Sequence, residues 1–154
     1  MNGFVHLHLH SEYSLLDGAC RIEDIPAAAV LAGQSAVALT DHGAMYGAVA
    51  FYKACVKAGI RPIIGCEVYV APRSRFDKNG RAELSGNHLI LLATDETGYR
   101  NLSKLVSFGF TEGKFKVIIL LRVGYSSGCK ENAAESRIFT IGASFVQQFG
   151  QRSV

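Results

Sequence analysis

ALTDHGAMYGAVAFYKACVKAGIRPIIGCEVYVAP, residues 38–72, decides the fold class. It begins inside SAVALTDHG (35–43), a short apolar run that reads as a buried strand ending in a turn. From Met45 to Ala58 the pattern becomes helical, with Val49, Tyr52, Cys55 and Val56 on one stripe and Gly59 as the stop signal. RPIIGCEVYVAP (61–72) is then a second apolar strand. Strand, helix, strand within 38 residues (35–72) is the unit of an α/β protein.

The flanks continue the alternation. Phe4 to His10 has period two, which predicts a strand with Phe4, His6, His8 and His10 on one face and Val5, Leu7 and Leu9 on the other. Arg21 to Gln34 reads as an Ala-rich helix, with Pro26 near its start and Gly33 near its end. Arg73 to Asn87 is a polar loop, HLILLAT (88–94) a further strand, and Asp95 to Phe108 a helix with Tyr99, Leu102, Leu105 and Val106 facing inward. The order implies a parallel α/β sheet. Further on, KVIILLRV (116–123) has the composition of another buried strand, and RIFTIGASFVQQF (137–149) fits either element.

Composition narrows the class. The chain is 49% hydrophobic and 19% charged, an ordinary globular balance. It holds no run of 18 apolar residues and no basic segment ahead of an apolar one, so neither a membrane span nor a secretory signal is expected. Cys20, Cys55, Cys66 and Cys129 show no CxxC spacing, which fits reduced thiols in a cytoplasmic protein. A net charge of +3 does not by itself argue for nucleic-acid binding.

Chemistry gathers at strand ends, where α/β folds carry their sites. His8 and His10 end the first strand, Asp41 and His42 the next, and Glu67 the third; Asp17 lies in the loop after the first. His88 opens its strand, so it would have to reach such a site from a different height. Imidazoles mixed with carboxylates suit divalent ions such as zinc and manganese. Each residue also has a plainer reading. His8 and His10 fit a solvated edge strand, and His6 a packed histidine or an outer partner of the ligands. Asp41 fits a turn in which it and Thr40 hold backbone amides, and Asp17 before Gly18 fits another turn. Glu67, in apolar surroundings, needs a cation or a buried Arg, and His88 fits a satisfied core histidine. A single site accounts for all of them at once. A bound metal makes hydrolysis the natural chemistry, and no GxxxxGK[ST] loop offers a competing one.

HLHLHSEYSLLDGA (6–19), the 38–72 stretch and NHLILLATDETGYRNLSKLVS (87–107) together resemble the N-terminal PHP domain of bacterial DNA polymerase III alpha subunits. The resemblance runs from about Phe4 to Gly113. It implies a distorted β/α barrel of seven strands, of which this sequence carries part, with metal ligands at the strand C-terminal ends. Carried over by position, it implies His8, His10, Asp17, His42, Glu67 and His88 as metal ligands. Glu67 matches the carboxylate that bridges metals, and His6 stands where many relatives have Asp. His6 and Asp41 are the candidate outer partners.

The implied parent activity is DNA-directed DNA polymerisation in replication, using magnesium, with DNA, a proofreading subunit and a sliding clamp as partners. The PHP site itself would use zinc or manganese, either for phosphoester or 3′–5′ exonuclease chemistry or as a structural centre. The alternative is a stand-alone phosphoesterase of the histidinol-phosphatase type. The Thr40 to Pro72 stretch looks like the polymerase branch.

Beyond Gly113 the pattern departs. EGKFKVIILLRVGYSSGCKEN (112–132) stands where a lysine–proline segment would follow "EGF", and neither a later Asp-x-His nor the polymerase's catalytic aspartates follow. Met1–Gly113 holds 10 Lys/Arg against 11 Asp/Glu, whereas Lys114–Val154 holds 6 against 2 and no histidine. Residues 1–113 are therefore expected to be the N-terminal part of a PHP domain. Residues 114–154 are expected to be a divergent tail, from a reading-frame change near the codon for Gly113, and the chain a truncated or frameshifted piece.

Overall fold

The computed structural model describes residues 3–15, 17–70, 87–112, 117–119 and 137–141. The expected loop at 73–86, Cys129 and most of the tail lie outside the described residues. Element order is α1 (Ile25–Leu31), β1 (Ala36–Leu39), α2 (Ala48–Ala58), β2 (Arg61–Val70), β3 (Asn87–Ala93), α3 (Glu96–Thr111), β4 (Val117–Ile119) and β5 (Arg137–Ile141). The sheet runs β1-β2-β3-β5, with β4 pairing β2. KVIILLRV and RIFTIGASFVQQF thus each contribute a strand.

Local signals set most boundaries. Gly59 at φ 72° closes α2, its N–H reaching back to the carbonyls of Cys55 and Val56. Asp95 caps α3 by accepting from the Gly98 N–H at 2.7 Å. Helix α1 is shorter than the expected Arg21–Gln34, because turns occupy the residues ahead of Pro26 and Gly33 ends the helix at φ 70°.

Three sequence expectations are corrected. The sheet is mixed: β1 and β2 are parallel, but β2 and β3 are antiparallel, pairing Glu67 with Ile90 and Tyr69 with His88. A parallel pair needs a crossover helix, whereas the polar loop read from residues 73–87 allows an antiparallel return.

The second correction concerns α2, which buries Ala48, Phe51 and Cys55. Val49, Tyr52 and Val56 of the expected inward stripe lie on the open side.

The third concerns Phe4 to His10, which forms no continuous strand. Its His6 carbonyl accepts from Ala38 N–H and its Leu9 carbonyl from Thr40 N–H, each at 2.9 Å. Three residues on one side span two on the other, the mark of a one-residue bulge. A bulge reverses the alternation, so His6 parts from His8 and His10, and Leu7 is exposed.

Helices cover one face of the sheet. Cys66, Val68, Leu89 and Leu91 pack on Leu102, Leu105 and Val106 of α3. Val37 and Leu39 pack with Ile25, Ala29, Phe51 and Cys55 of α1 and α2, and Leu9 joins them. The other face carries Ala38, Ile63, Ile90 and Leu92 in a smaller apolar cluster. Glu67 shares that second face, because neighbours along a strand point oppositely and paired residues point together. Tyr69 and His88 share it for the same reason. The chemistry therefore sits on the side of the sheet away from the helices.

Candidate metal centre

Glu67 is the hub. Its side chain is 3% exposed, yet its carboxylate is ringed by imidazoles. His10 Nε2 lies 2.7 Å from Oε2, His42 Nδ1 3.3 Å and His8 Nε2 3.6 Å, while His88 Nδ1 pairs with Oε1. A second carboxylate, Asp17, stands at the rim: its Oδ2 is 2.5 Å from His42 Nε2 and 3.3 Å from His10 Nδ1. Among the described residues no Arg or Lys pairs with Glu67, so histidines take the place of the buried Arg considered from sequence.

The antiparallel turnabout of β3 answers the question of height. His88 opens its strand directly across from Tyr69, two residues past Glu67 and on the same face. It therefore reaches the carboxylate from the far side. His42 follows β1 and bridges to Glu67, with Gly43 at φ 55° turning the chain away behind it.

All six residues expected as ligands converge. Their donor atoms form three overlapping groups, His8–His10–Glu67, His10–Asp17–His42 and His42–Glu67–His88, with atoms within 4.8 Å of one another in each. The donor set is four imidazoles and two carboxylates, which zinc and manganese accept. Burial lowers the pKa of His8 against the pull of Glu67, aided by repulsion from His10, His42 and His88. This favours the neutral form that coordinates metal. Burial works against the charged form of Asp17, but the hydrogen bond and charge of His42 and the charge of His10 outweigh it and hold the carboxyl low.

The two candidate outer partners separate. His6 is outside the cluster: beyond the bulge it lines a cavity of about 380 Å³ with Cys20, Gln34 and α1. Asp41 forms a hydrogen-bonded clamp. Its Oδ1 accepts from Ser11 N–H at 2.6 Å and Ser14 O–H at 2.7 Å, and its Oδ2 from Ser11 O–H at 2.8 Å. These bonds fix the loop between His10 and Asp17. Gly18 completes that loop, since a Cβ there would fall 1.8 Å from the Ser11 carbonyl oxygen.

At the site, Tyr69 was missed, and Thr40 was read only as a holder of backbone amides. Tyr69 O–H lies 3.3 Å from His42 Nδ1, and its ring packs edge-on to His88. Burial, then the charges of Glu67 and Asp17, raises its pKa and keeps the phenol protonated. Its i+2 spacing from Glu67 was the available signal. Thr40, fully buried, sits behind His8 with its Oγ1 2.8 Å from Nδ1.

The model of the PHP domain family matches residues 6–136. The chain belongs to the PHP domain family. Among curated relatives, the DNA polymerase III subunit alpha of Chlamydia trachomatis is 55% identical over 115 residues. That of Treponema pallidum is 54% identical over 116 residues and that of Mycobacterium tuberculosis 46% over 126. These alignments cover 73–74% of this chain but only 9–11% of the relatives, so the chain spans about a tenth of their length. A solved chain from Bifidobacterium adolescentis, assigned as a metal-dependent phosphoesterase, superposes with a TM-score of 0.51 at 19% identity. It covers 70% of this chain and 33% of its own length, and shares the α/β fold. No helix among the described residues is long and apolar enough to cross a membrane.

Proposed function

We propose that this PHP domain is a divalent-metal site of the phosphoesterase or 3′–5′ exonuclease type within a replicative DNA polymerase III alpha subunit. The observation that carries the reading is the buried Glu67 carboxylate ringed by His8, His10, His42 and His88, with Asp17 at the rim. In this reading those six residues hold zinc or manganese. A bound ion would lower the pKa of water towards about 7 and clamp phosphate oxygens. The protonated Tyr69 is a hydrogen-bond donor for His42 or for an incoming phosphoryl oxygen.

The relatives favour the polymerase branch over a stand-alone histidinol-phosphatase type. The parent activity would then be DNA-directed DNA polymerisation with magnesium, in the cytoplasm, with DNA, the proofreading subunit and the sliding clamp as partners. The complete domain would close its sheet into a seven-stranded barrel. Residues 1–113 would be PHP sequence and 114–154 a divergent tail arising from a frame change. Translating the coding DNA beyond Gly113 in the other two frames tests the tail: a lysine–proline continuation of "EGF" is expected, and its absence from both frames rejects the idea.

Metal analysis tests the site. The purified chain is expected to retain zinc or manganese, and His8→Ala combined with His10→Ala to remove most of it, because too few donors remain. Metal content unchanged in the double variant would end the reading. Hydrolysis of a phosphodiester by the metal-loaded chain separates a catalytic from a structural centre.

A further inference from the structure

The Thr40 hydroxyl makes three contacts, and together they fix where a proton sits on His8. Oγ1 accepts the Leu9 N–H at 3.0 Å, faces the Leu9 carbonyl at 3.2 Å and faces His8 Nδ1 at 2.8 Å. A threonine hydroxyl has one proton and two acceptor lone pairs. The Leu9 N–H occupies one lone pair. If the proton goes to the Leu9 carbonyl, the second lone pair meets a proton carried by Nδ1, and every contact is used. If the proton goes to Nδ1 instead, a lone pair of a fully buried oxygen is idle. Nε2–H then points towards Glu67 Oε2 at 3.6 Å, beyond hydrogen-bond reach. Buried polar groups adopt the arrangement that satisfies them.

We propose that Thr40 is a positioning residue that holds His8 as the Nδ1–H tautomer, so that the Nε2 lone pair faces the Glu67 cluster as a donor atom. Its backbone strengthens the case. Thr40 N–H donates to the Leu9 carbonyl at 2.9 Å, so main chain and side chain together clamp the residue next to His8. This is the outer hydrogen bond that a metal-bound histidine uses to fix ring and tautomer. Gly65 keeps the place open, since a Cβ there would press within 2.9 Å of Thr40 Cγ2. The use of the tautomer rests on the metal reading of the site, but the tautomer itself does not.

The test uses the full chain, labelled with ¹⁵N-histidine and stripped of metal, in mildly alkaline buffer. Long-range ¹H–¹⁵N correlation spectra report the tautomer, with His8→Gln identifying the His8 signals. Nδ1 protonation is expected, and a wild-type His8 protonated on Nε2 overturns the assignment without any Thr40 variant. Zinc titration then compares Thr40→Val, expected to weaken binding about tenfold or more, with Thr40→Ser, expected to stay within about twofold. A folded Thr40→Val that binds zinc as tightly as wild type overturns the positioning role. His8 protonated on Nδ1 in a chain that binds neither zinc nor manganese supports the tautomer and removes the metal reading instead.

Discussion

The two walls of the site are built on different principles. Glu67 and His88 stand on β2 and β3, whose six-residue antiparallel register fixes their backbones by a repeating ladder. His8, His10 and Asp17 come from a stretch with scattered bridges at His6 and Ser11 and a bulge between them. That wall is held by side chains: Gln34 Oε1 accepts His6 N–H, Thr40 accepts Leu9 N–H, and Asp41 accepts three donors from Ser11 and Ser14. A ladder survives the loss of any one side chain. A scaffold of buried hydroxyls and carboxylates has no such redundancy.

The sharpest way to break this contrast is Asp41→Ala. It leaves three buried donors on Ser11 and Ser14 without partners, and should cost about 4 kcal/mol in urea unfolding. Metal binding should weaken with it, as His10 and Asp17 lose their loop. A cost near zero would mean that the first wall does not depend on its clamp. Glu67→Ala should cost less, about 2 kcal/mol, because two of the imidazoles left behind reach solvent and can bond to water. Its metal content should nevertheless fall to background by elemental analysis. Asp95→Ala removes the α3 cap, far from both walls, and should cost about 1 kcal/mol while leaving metal binding intact. Thiol labelling perturbs least. Cys20, bridged to Ser11 and exposed, should react quickly. Cys66, under Glu67 on β2, should resist, since burial pushes its thiol up to about 12 and Asp41 and Glu67 oppose its ionisation. Mass spectrometry of timed alkylation separates the two, and equal rates would show that the second wall opens as readily as the first.

Some of this architecture was open in the chain. Asp95 and Gly59 mark helix ends because capping is a local interaction between residues a few positions apart. In α3, Leu102, Leu105 and Val106 face inward as their spacing predicted. Helix α2 was misread because it carries apolar residues on more than one side. Val49, Tyr52 and Val56 form as good a stripe as Ala48, Phe51 and Cys55, and only packing against β1 and α1 chose between them.

The sequence by itself determined the residue types of the site and two of the local elements that carry them: TDH after one strand and a carboxylate within the next. Tertiary structure decided how those pieces face one another. The antiparallel course of β3 brings His88 to Glu67, and strand direction depends on pairing rather than on the residues of the strand. The bulge before His8 turns His6 towards α1 while His8 and His10 turn to the carboxylate. An alternating sequence cannot announce it, because period two describes every residue equally until a partner strand sets the register, and one extra residue in that register reverses every side chain beyond it.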